Sequence, residues 1–408
     1  MTPNTTATPI RSTSRPTRPR PARPLTRQAP GIPRGTLDAR IPRLRVRIGS
    51  PTSLLAVIPF LLGFDPGRSI VVIGTEPRTA QVLITLRYDV PDPGRPRVAA
   101  GLARNAISLL AAQGVKTAVA VGYGTDAAVA PVAAALRERA VANGIAMTEL
   151  LRADDGRYWS YICRAPSCCP PDGTPFDLAD HPSARALRAA GGRVLADRAA
   201  LAATVAAVGG REGAVVRRAS RRFLAELARC GSRLDRAGEH VALPRLTASI
   251  GLVALLDAIW RYREGEPVPV DLAAWLTVAL AQVRVRDDAW ARMDPEHQGA
   301  HLKLWTDLTR LARPGYVAAP ASLLAFVAWQ AGDGALANVA LDRALADNAR
   351  YSLALLLREA LDSGAPPSMA RLPMTPEEVA AAYDAADAAE DAAAAAAVAV
   401  PAGEAGRK

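Results

Sequence analysis

The sequence is poor in aromatic residues and in lysine. Phe, Trp and Tyr together make up 5% of the 408 residues, whereas half of the residues are hydrophobic. With alanine abundant, this composition favours closely packed helices over a β-sandwich, in a folded body with one large core or two ordinary ones. Only three lysines accompany the many arginines, a skew from which no binding inference follows: Lys116, Lys303 and Lys408.

The N-terminal segment and the longest uncharged stretch indicate neither export nor membrane insertion. No stretch of about 7–15 apolar residues accompanies the N-terminal arginines, so no signal peptide is indicated. The longest uncharged stretch, residues 314–332, is interrupted by Pro320 and consists mostly of small residues. This pattern is typical of buried helix and loop, not of a membrane span. We therefore expect a cytoplasmic protein without a membrane partner, in a compartment where thiols are normally reduced.

The net charge of +11 is concentrated at one end of the chain. Residues 1–47 contain eleven arginines and one acidic residue, Asp38, a balance of +10, so the remaining 361 residues carry about +1. Residues 1–41 are built of Thr, Pro and Arg with almost no large apolar residue, which predicts a disordered basic arm. No aromatic residues interleave with the arginines, so nucleic acid is expected to bind only weakly, through this arm.

Apolar runs alternate with helical segments from residue 42 to residue 210, which predicts an α/β domain with some parallel strand pairing. Residues 44–48 alternate apolar and basic residues like a half-buried strand. Ser50 then offers an N-cap to a helix with Pro51 at its first position and Gly63 after its end. Further strands are expected over 69–74, 81–90, 117–123 and 145–150, with helices over 98–112 and from about 131 to 143.

Strand patterns almost vanish after residue 210, and residues 211–366 predict an all-helical second domain. Residues 332–345 resemble the second helix of a tetratricopeptide repeat, because the small residues Ala337 and Ala344 stand where two helices approach closely. A single copy is recognisable, so either a degenerate array or one helical hairpin fits. Helices are expected over 211–230, 245–263, 271–281, 283–292, 299–312, 320–331, 335–347 and 352–363.

Residues 367–408 predict a disordered tail. From residue 375 to residue 399 the chain is mostly alanine with scattered Asp and Glu, and it shows no apolar face that could dock on the body. We therefore expect the tail to be dispensable for folding.

Three of the four cysteines fall within seven residues, and two prolines follow them. The spacing C-x4-C-C-P-P matches no familiar zinc or iron–sulfur pattern. Three thiolates from Cys163, Cys168 and Cys169, with His181 as a fourth ligand, could hold zinc, although adjacent cysteines seldom both reach one small ion. Alternatively, Cys163 pairs with Cys168 or Cys169 in a redox site. The default interpretation is structural, with buried thiols and a rigid Cys-Pro-Pro connector between the domains.

Two other patterns resemble known sites and have simpler explanations. Residues 122–127 fit G-x-G-x-x-A after a strand, but Pro131 suits a first helical position, which would leave too long a loop for a dinucleotide site. His297 and His301 are four residues apart, yet Gln298 stands where a zinc protease has glutamate. No cofactor-binding residue is assigned from either pattern.

Four short segments carry a resemblance to a known family: residues 61–74, 159–170, 285–287 and 328–332. Together they resemble an actinobacterial family known as domain of unknown function family 4192. The resemblance extends from about residue 44 to residue 365 and leaves both ends of the chain outside it. It supports the division into regions and implies no activity, cofactor or catalytic residue.

These patterns favour a non-catalytic protein whose helical domain binds a protein partner or serves as a scaffold. The competing hypothesis is a thiol-redox or metal-dependent enzyme or sensor that uses Cys163, Cys168 and Cys169. A weaker alternative is nucleic-acid binding through the basic arm.

Deleting residues 1–41 should abolish any retention of the protein on DNA or RNA, because these residues carry +7 of the net charge of +11. The measurement is retention on immobilised nucleic acid at increasing salt, with the full chain as the reference. Sequence-specific binding that survives the deletion would contradict this prediction.

Overall fold

The computed structural model describes residues 49–79, 81–238, 242–370 and 374–399. The predicted arm 1–41 and the predicted strand over 44–48 lie outside these residues. The described residues all belong to one compact unit.

In the described residues, six strands form one sheet: β1 (Ser69–Thr75), β2 (Val82–Asp89), β3 (Thr117–Tyr123), β4 (Ala146–Asp154), β5 (Arg157–Ser160) and β6 (Thr174–Pro175). They lie in the order β2-β1-β3-β4-β5-β6. Strands β3 and β4 are parallel, and the other neighbouring pairs are antiparallel. An α/β region with some parallel pairing is therefore confirmed.

The helices of this region are α1 (Pro51–Leu62), α2 (Pro96–Ala112), α3 (Asp126–Ala142), α4 (Pro182–Ala189) and α5 (Arg198–Thr204). Helix α1 has the predicted ends. The Ser50 side chain accepts a hydrogen bond from the Ser53 amide at 3.1 Å, and Gly63 ends the helix in the left-handed conformation, at φ +73°.

The predicted start of α3 near Pro131 is wrong. The helix begins at Asp126, and Pro131 lies inside it. The side chains of Val129, Val132 and Leu136 are fully buried. Their burial outweighs the one hydrogen bond that Pro131 cannot make.

Strand β1 is buried on both faces. Ile70 and Val72 belong to a core cluster with Ile107 of α2. Val71 and Ile73 belong to the largest core cluster, which continues through α1 into the helical region. The sheet therefore separates two hydrophobic cores, one on each face.

From residue 210 onward the described chain is mostly helical, as expected. Ala337 and Ala344 are fully buried, and α12 packs on α11, so these small residues do lie in a close-packed core. The division into two domains stays a prediction, because the largest core cluster includes side chains from both regions. The helices are α6 (Gly210–Arg236), α7 (Ala242–Arg263), α8 (Val270–Ala279), α9 (Val283–Ala291), α10 (Gln298–Leu311), α11 (Ala318–Gln330), α12 (Gly334–Asp347), α13 (Ser352–Asp362) and α14 (Pro376–Ala399).

The predicted disordered tail is wrong for residues 376–399, which form α14 and pack against α9. Val379 is 4% exposed, and the Tyr383 hydroxyl donates a hydrogen bond to the Asp287 carboxylate at 2.7 Å. Residues 371–373 and 400–408 of the predicted tail lie outside the described residues.

Ion pairs hold the acidic face of α14 against helices α7 and α9. Arg245 of α7 contacts Asp387 and Asp391, at 3.3 and 2.7 Å. Arg284 of α9 contacts Asp384 and Asp387, at 2.6 and 3.2 Å. The three aspartates recur at intervals of three or four residues, so they share one helix face. A search for apolar periodicity does not reveal such a face.

Ending the chain at residue 373 should lower the free energy of unfolding by about 1–3 kcal/mol, because an ion-pair network and the buried Val379 are lost. Thermal unfolding of the full and shortened chains measures this effect. Arg284→Ala should reproduce part of the loss. The matched control is Arg229→Ala, which removes only an exposed pair with Glu226. Equal melting temperatures for the full and shortened chains would show that α14 contributes no stability.

Candidate functional site

The three clustered cysteines lie in the connection between β5 and β6, at one edge of the sheet. Strand β5 ends at Ser160, whose side-chain oxygen accepts hydrogen bonds from the amides of Ile162 and Cys163, at 3.2 and 3.0 Å. These bonds turn the chain directly before the first cysteine. We call residues 160–169 the thiol turn.

A second set of backbone bonds returns the chain to Cys163. The carbonyl oxygen of Ala165 accepts hydrogen bonds from the amides of Cys168 and Cys169, at 3.1 and 2.8 Å. The Sγ of Cys168 lies 3.0 Å from that of Cys163 and 3.7 Å from that of Cys169. All three sulfur atoms lie within 4.8 Å of one another. The two adjacent cysteines therefore do converge on one point, against the expectation from their spacing.

Residues 171–173, which follow the cysteines, are held by two side chains of β5. The indole nitrogen of Trp159 donates a hydrogen bond to the Pro171 carbonyl at 2.9 Å, and Arg157 donates to the carbonyls of Asp172 and Gly173, at 3.1 and 2.8 Å. Gly173 has φ +77°, and a Cβ at this position would lie 2.5 Å from the Trp159 ring. Glycine is required here on both counts. Strand β5 thus anchors the connection on both sides of the cysteines.

A polar network supports Trp159 from the neighbouring strand. Arg152 of β4 stacks on its ring, with the guanidinium carbon 3.5 Å from the ring centroid. Asp126 and Asp154 lie 3.6 and 3.3 Å from this guanidinium, and the Tyr161 hydroxyl donates a hydrogen bond to Asp126 at 2.8 Å. Burial raises the pKa of Tyr161, so its hydroxyl remains a donor. The network fixes the strand ends from which the thiol turn begins.

The same network occupies the loop that resembles a dinucleotide site. Residues 122–127 lead directly into α3, but Asp126 stands at the first position of that helix. A phosphate at this helix end would meet a carboxylate that Arg152 and Tyr161 already bind. The loop is therefore a strand-to-helix connection.

The three thiols differ in acidity. Hydrogen bonds, the largest from Cys168 and others from the Ala165 amide and Cys169, lower the pKa of the Cys163 thiol. The bond with Cys163 raises the pKa of Cys168, and burial raises the pKa of Cys169 to about 12. Cys163 is therefore the most acidic thiol of the group, and the other two thiols can donate hydrogen bonds to its thiolate.

The thiols are accessible as well as close together. Cys168 is exposed, and Cys163 and Cys169 are half-buried. The structural interpretation of the cysteines needs buried thiols that pack as small apolar side chains. The observed exposure instead leaves the sulfur atoms open to metal ions, oxidants and alkylating reagents.

His181 does not join the thiols. It is the N-cap residue of α4, where its Nδ1 accepts a hydrogen bond from the Ser183 amide at 3.2 Å. Among the described residues, the ligand atoms that lie together here are the three sulfur atoms. The proposed fourth ligand is thus absent from the group, and the cluster offers three protein ligands.

Asp294 forms a hydrogen bond with each of the two histidines, His297 and His301. Its carboxylate lies 2.6 Å from His297 Nδ1, and its amide donates a hydrogen bond to His301 Nε2 at 3.2 Å. Burial lowers the pKa of His301 to about 4, so this ring is neutral at pH 7. Both side chains therefore make local hydrogen bonds at the start of α10.

A cavity of about 630 Å³ lies between β2 and the helical region. Residues 83–88 of β2 line it on one side. Residues 361–362 at the end of α13 and residues 364–367 after it also line the cavity. Arg87, Arg198 and Asp362 contribute charge to it, and no cysteine or histidine lines it. Nucleophilic and metal-binding chemistry in the described chain is therefore concentrated at the thiol turn.

A family model described as Domain of unknown function (DUF4192) matches residues 51–368. The match covers the whole sheet, the thiol turn and the helical region as far as the end of α13. It confirms the resemblance seen in the sequence. No curated protein and no solved structure matches the chain.

Cys168→Ala should raise the pKa of the Cys163 thiol, because the variant loses the main hydrogen-bond donor to the thiolate. The measurement is the rate of Cys163 alkylation by iodoacetamide against pH, followed by peptide mass spectrometry. The midpoint of the profile should move to higher pH, and alkylation at pH 7 should slow. Cys168→Ser keeps a donor and should shift the midpoint less. A profile unchanged in Cys168→Ala would show that Cys168 does not stabilise the thiolate.

Proposed function

The chain belongs to the DUF4192 family, and we propose that this member binds a zinc ion through the thiolates of Cys163, Cys168 and Cys169 and acts as a metal-responsive sensor. The observation that carries the proposal is the convergence of the three sulfur atoms within 4.8 Å of one another.

The sulfur separations suit a zinc ion. Zn–S bonds of about 2.3 Å in tetrahedral geometry set S···S distances of about 3.8 Å. The separations at the thiol turn, 3.0 and 3.7 Å and at most 4.8 Å, bracket this value. Small side-chain movements therefore suffice to bind the ion. Zinc binding releases the protons that the three thiols carry, since each ligand must be a thiolate.

The number of ligands favours a sensor over a purely structural site. Structural zinc sites are usually closed by four protein ligands, whereas this cluster offers three. The fourth position is open to water, a small thiol or a side chain of another molecule. Because Cys168 is exposed, the ion can enter and leave without unfolding of the protein. A site of this kind reports the availability of metal, and its reduced thiols suit the cytoplasm, where we place the protein.

A dithiol redox switch is the second candidate, favoured by the short distance between Cys163 and Cys168 and by the lowered pKa of Cys163. The Cys163 thiolate attacks a peroxide, the O–O bond breaks, and a sulfenic acid and hydroxide form. The Cys168 thiol then displaces water from the sulfenic acid and forms the Cys163–Cys168 disulfide. The peroxide takes up the two electrons that the thiols lose. Cys169 can reopen this disulfide by attack on Cys168.

A sensor without a catalytic site acts through a partner. The proposal therefore keeps the expectation of a protein partner for the helical region. Metal binding and partner binding are separate properties and are tested separately.

Purified reduced protein should retain one zinc ion per chain after dialysis, measured by mass spectrometry of the metal. Cobalt in place of zinc should give thiolate-to-metal charge-transfer absorption. Cys163→Ala and Cys169→Ala should each remove both signals, and Cys230→Ala, which changes a cysteine outside the cluster, should leave them intact.

Absence of both signals in the reduced wild-type protein would reject the zinc site. Formation of a Cys163–Cys168 disulfide by stoichiometric peroxide in that same protein would support the second candidate. Alkylation of the three thiols at the rate of Cys230 would reject both candidates.

A further inference from the structure

Helix α7 is apolar on both of its faces. Its inner face, with Leu255, Ala258 and Tyr262, is buried. Among the described helices, Leu243–Arg263 alone is long and apolar enough to cross a membrane, and 39% of its apolar window is buried. One such helix does not indicate a multi-span membrane protein. A helix that is apolar all round is normally covered on all sides, whereas none of the described residues covers the outer face of α7.

Five large apolar side chains form a continuous exposed row on this outer face, which we call the α7 stripe. Their exposed fractions lie between 44% and 69%, and their spacing of three or four residues places them on one side of the helix. Single exposed apolar residues are ordinary, whereas a contiguous patch marks an interaction surface. The residues are Leu246, Ile250, Val253, Leu256 and Trp260.

We propose that the α7 stripe is the interface of a homodimer, in which two α7 helices pack antiparallel about a twofold axis at Val253. The order of side chains along the stripe is self-complementary in this arrangement. Trp260 faces the partner's Leu246, and Leu256 faces the partner's Ile250. The smaller Val253 lies at the centre, where the helices approach most closely.

The polar residues of the same face favour the antiparallel orientation. Asp257 pairs with Arg261 of its own chain at 3.0 Å, and in a parallel pair these charged groups of the two copies would face each other. In the antiparallel pair Asp257 faces the partner's Ser249, a neutral residue whose hydroxyl donates to the Arg245 carbonyl of its own chain. The two helix dipoles also oppose each other in this orientation, which stabilises the pair.

The area of the stripe fits a second copy. A specific interface at the lower limit of roughly 1,000 Å² takes about 500 Å² from each copy. The five side chains of the stripe, each about half exposed, can supply most of this area. The flanking polar residues add to this area. The proposal does not depend on the thiol site.

The mass of the full chain in solution tests the dimer. Analytical ultracentrifugation at micromolar concentration should give twice the mass of one chain. Val253→Asp should give the mass of one chain with an unchanged circular dichroism spectrum and melting profile in the monomer, because Val253 is 69% exposed in the single chain. The matched control is Leu356→Asp on α13, where the residue is 56% exposed outside the stripe. This variant should remain a dimer.

Cysteine cross-linking tests the orientation. In mild oxidation, Val253→Cys should link two chains through residue 253, because this residue lies on the twofold axis. Leu246→Cys should not link to itself, since it faces the partner's Trp260. A self-link at residue 246 and none at residue 253 would reject the antiparallel arrangement.

These experiments give different results if something other than a second copy of the chain covers the α7 stripe. A full chain with the mass of one molecule, or a dimer unaffected by Val253→Asp, would overturn the proposal. In the first case, flotation with anionic phospholipid vesicles that Val253→Asp abolishes would assign the stripe to a membrane surface. A single-chain mass that becomes a dimer after deletion of residues 1–48 would assign the cover to that segment.

Discussion

The burial of β1 on both faces is the constraint on which the rest of the structure depends. Ile70 and Val72 contribute to the core of α2 and α3, and Val71 and Ile73 contribute to the core shared with the helical region. Because side chains alternate along a strand, a shift of one residue would exchange the two sets. The register of β1 with β2 and β3 therefore positions both cores at once. Strands β4, β5 and β6 follow β3 in the sheet, so the position of β3 also determines theirs. The thiol turn therefore lies at the edge of the sheet opposite β2.

Periodic apolar patterns predicted most of the fold, and the elements without such patterns were missed. Strands β5 and β6 have four and two residues, too few for alternation to be visible. The docking of α14 was missed because aspartates supply many of its contacts, and the buried Val379 alone does not make an apolar periodicity. One local signal was available: the Thr375 hydroxyl accepts a hydrogen bond from the Glu378 amide, and the Glu378 carboxylate accepts one from the Thr375 amide, at 3.2 and 2.8 Å. This reciprocal cap is readable in the sequence as Thr-x-x-Glu.

At the candidate site, the sequence identified the three cysteines and misjudged their geometry. Spacing rules treat adjacent cysteines as diverging, but the carbonyl of Ala165 binds both of their amides and turns both sulfur atoms toward Cys163. Sequence proximity alone suggested His181, whose imidazole caps α4 instead. The acidity of each thiol depends on which sulfur faces which, and spacing does not encode that. The exposed stripe on α7 was equally hidden, because the pattern of an apolar helix does not tell which face the rest of the chain covers.

The connection that carries the thiols also closes an edge of the sheet. Strand β6 covers β5 through Thr174 and Pro175 only, and proline has no amide to donate. Arg157 and Trp159 hold the approach to β6 through the carbonyls of Pro171, Asp172 and Gly173. If a change at the sulfur atoms displaced this connection, the outer backbone of β5 would become a free strand edge, a template for pairing with other chains. The thiol turn and the protection of this sheet edge therefore depend on the same connection.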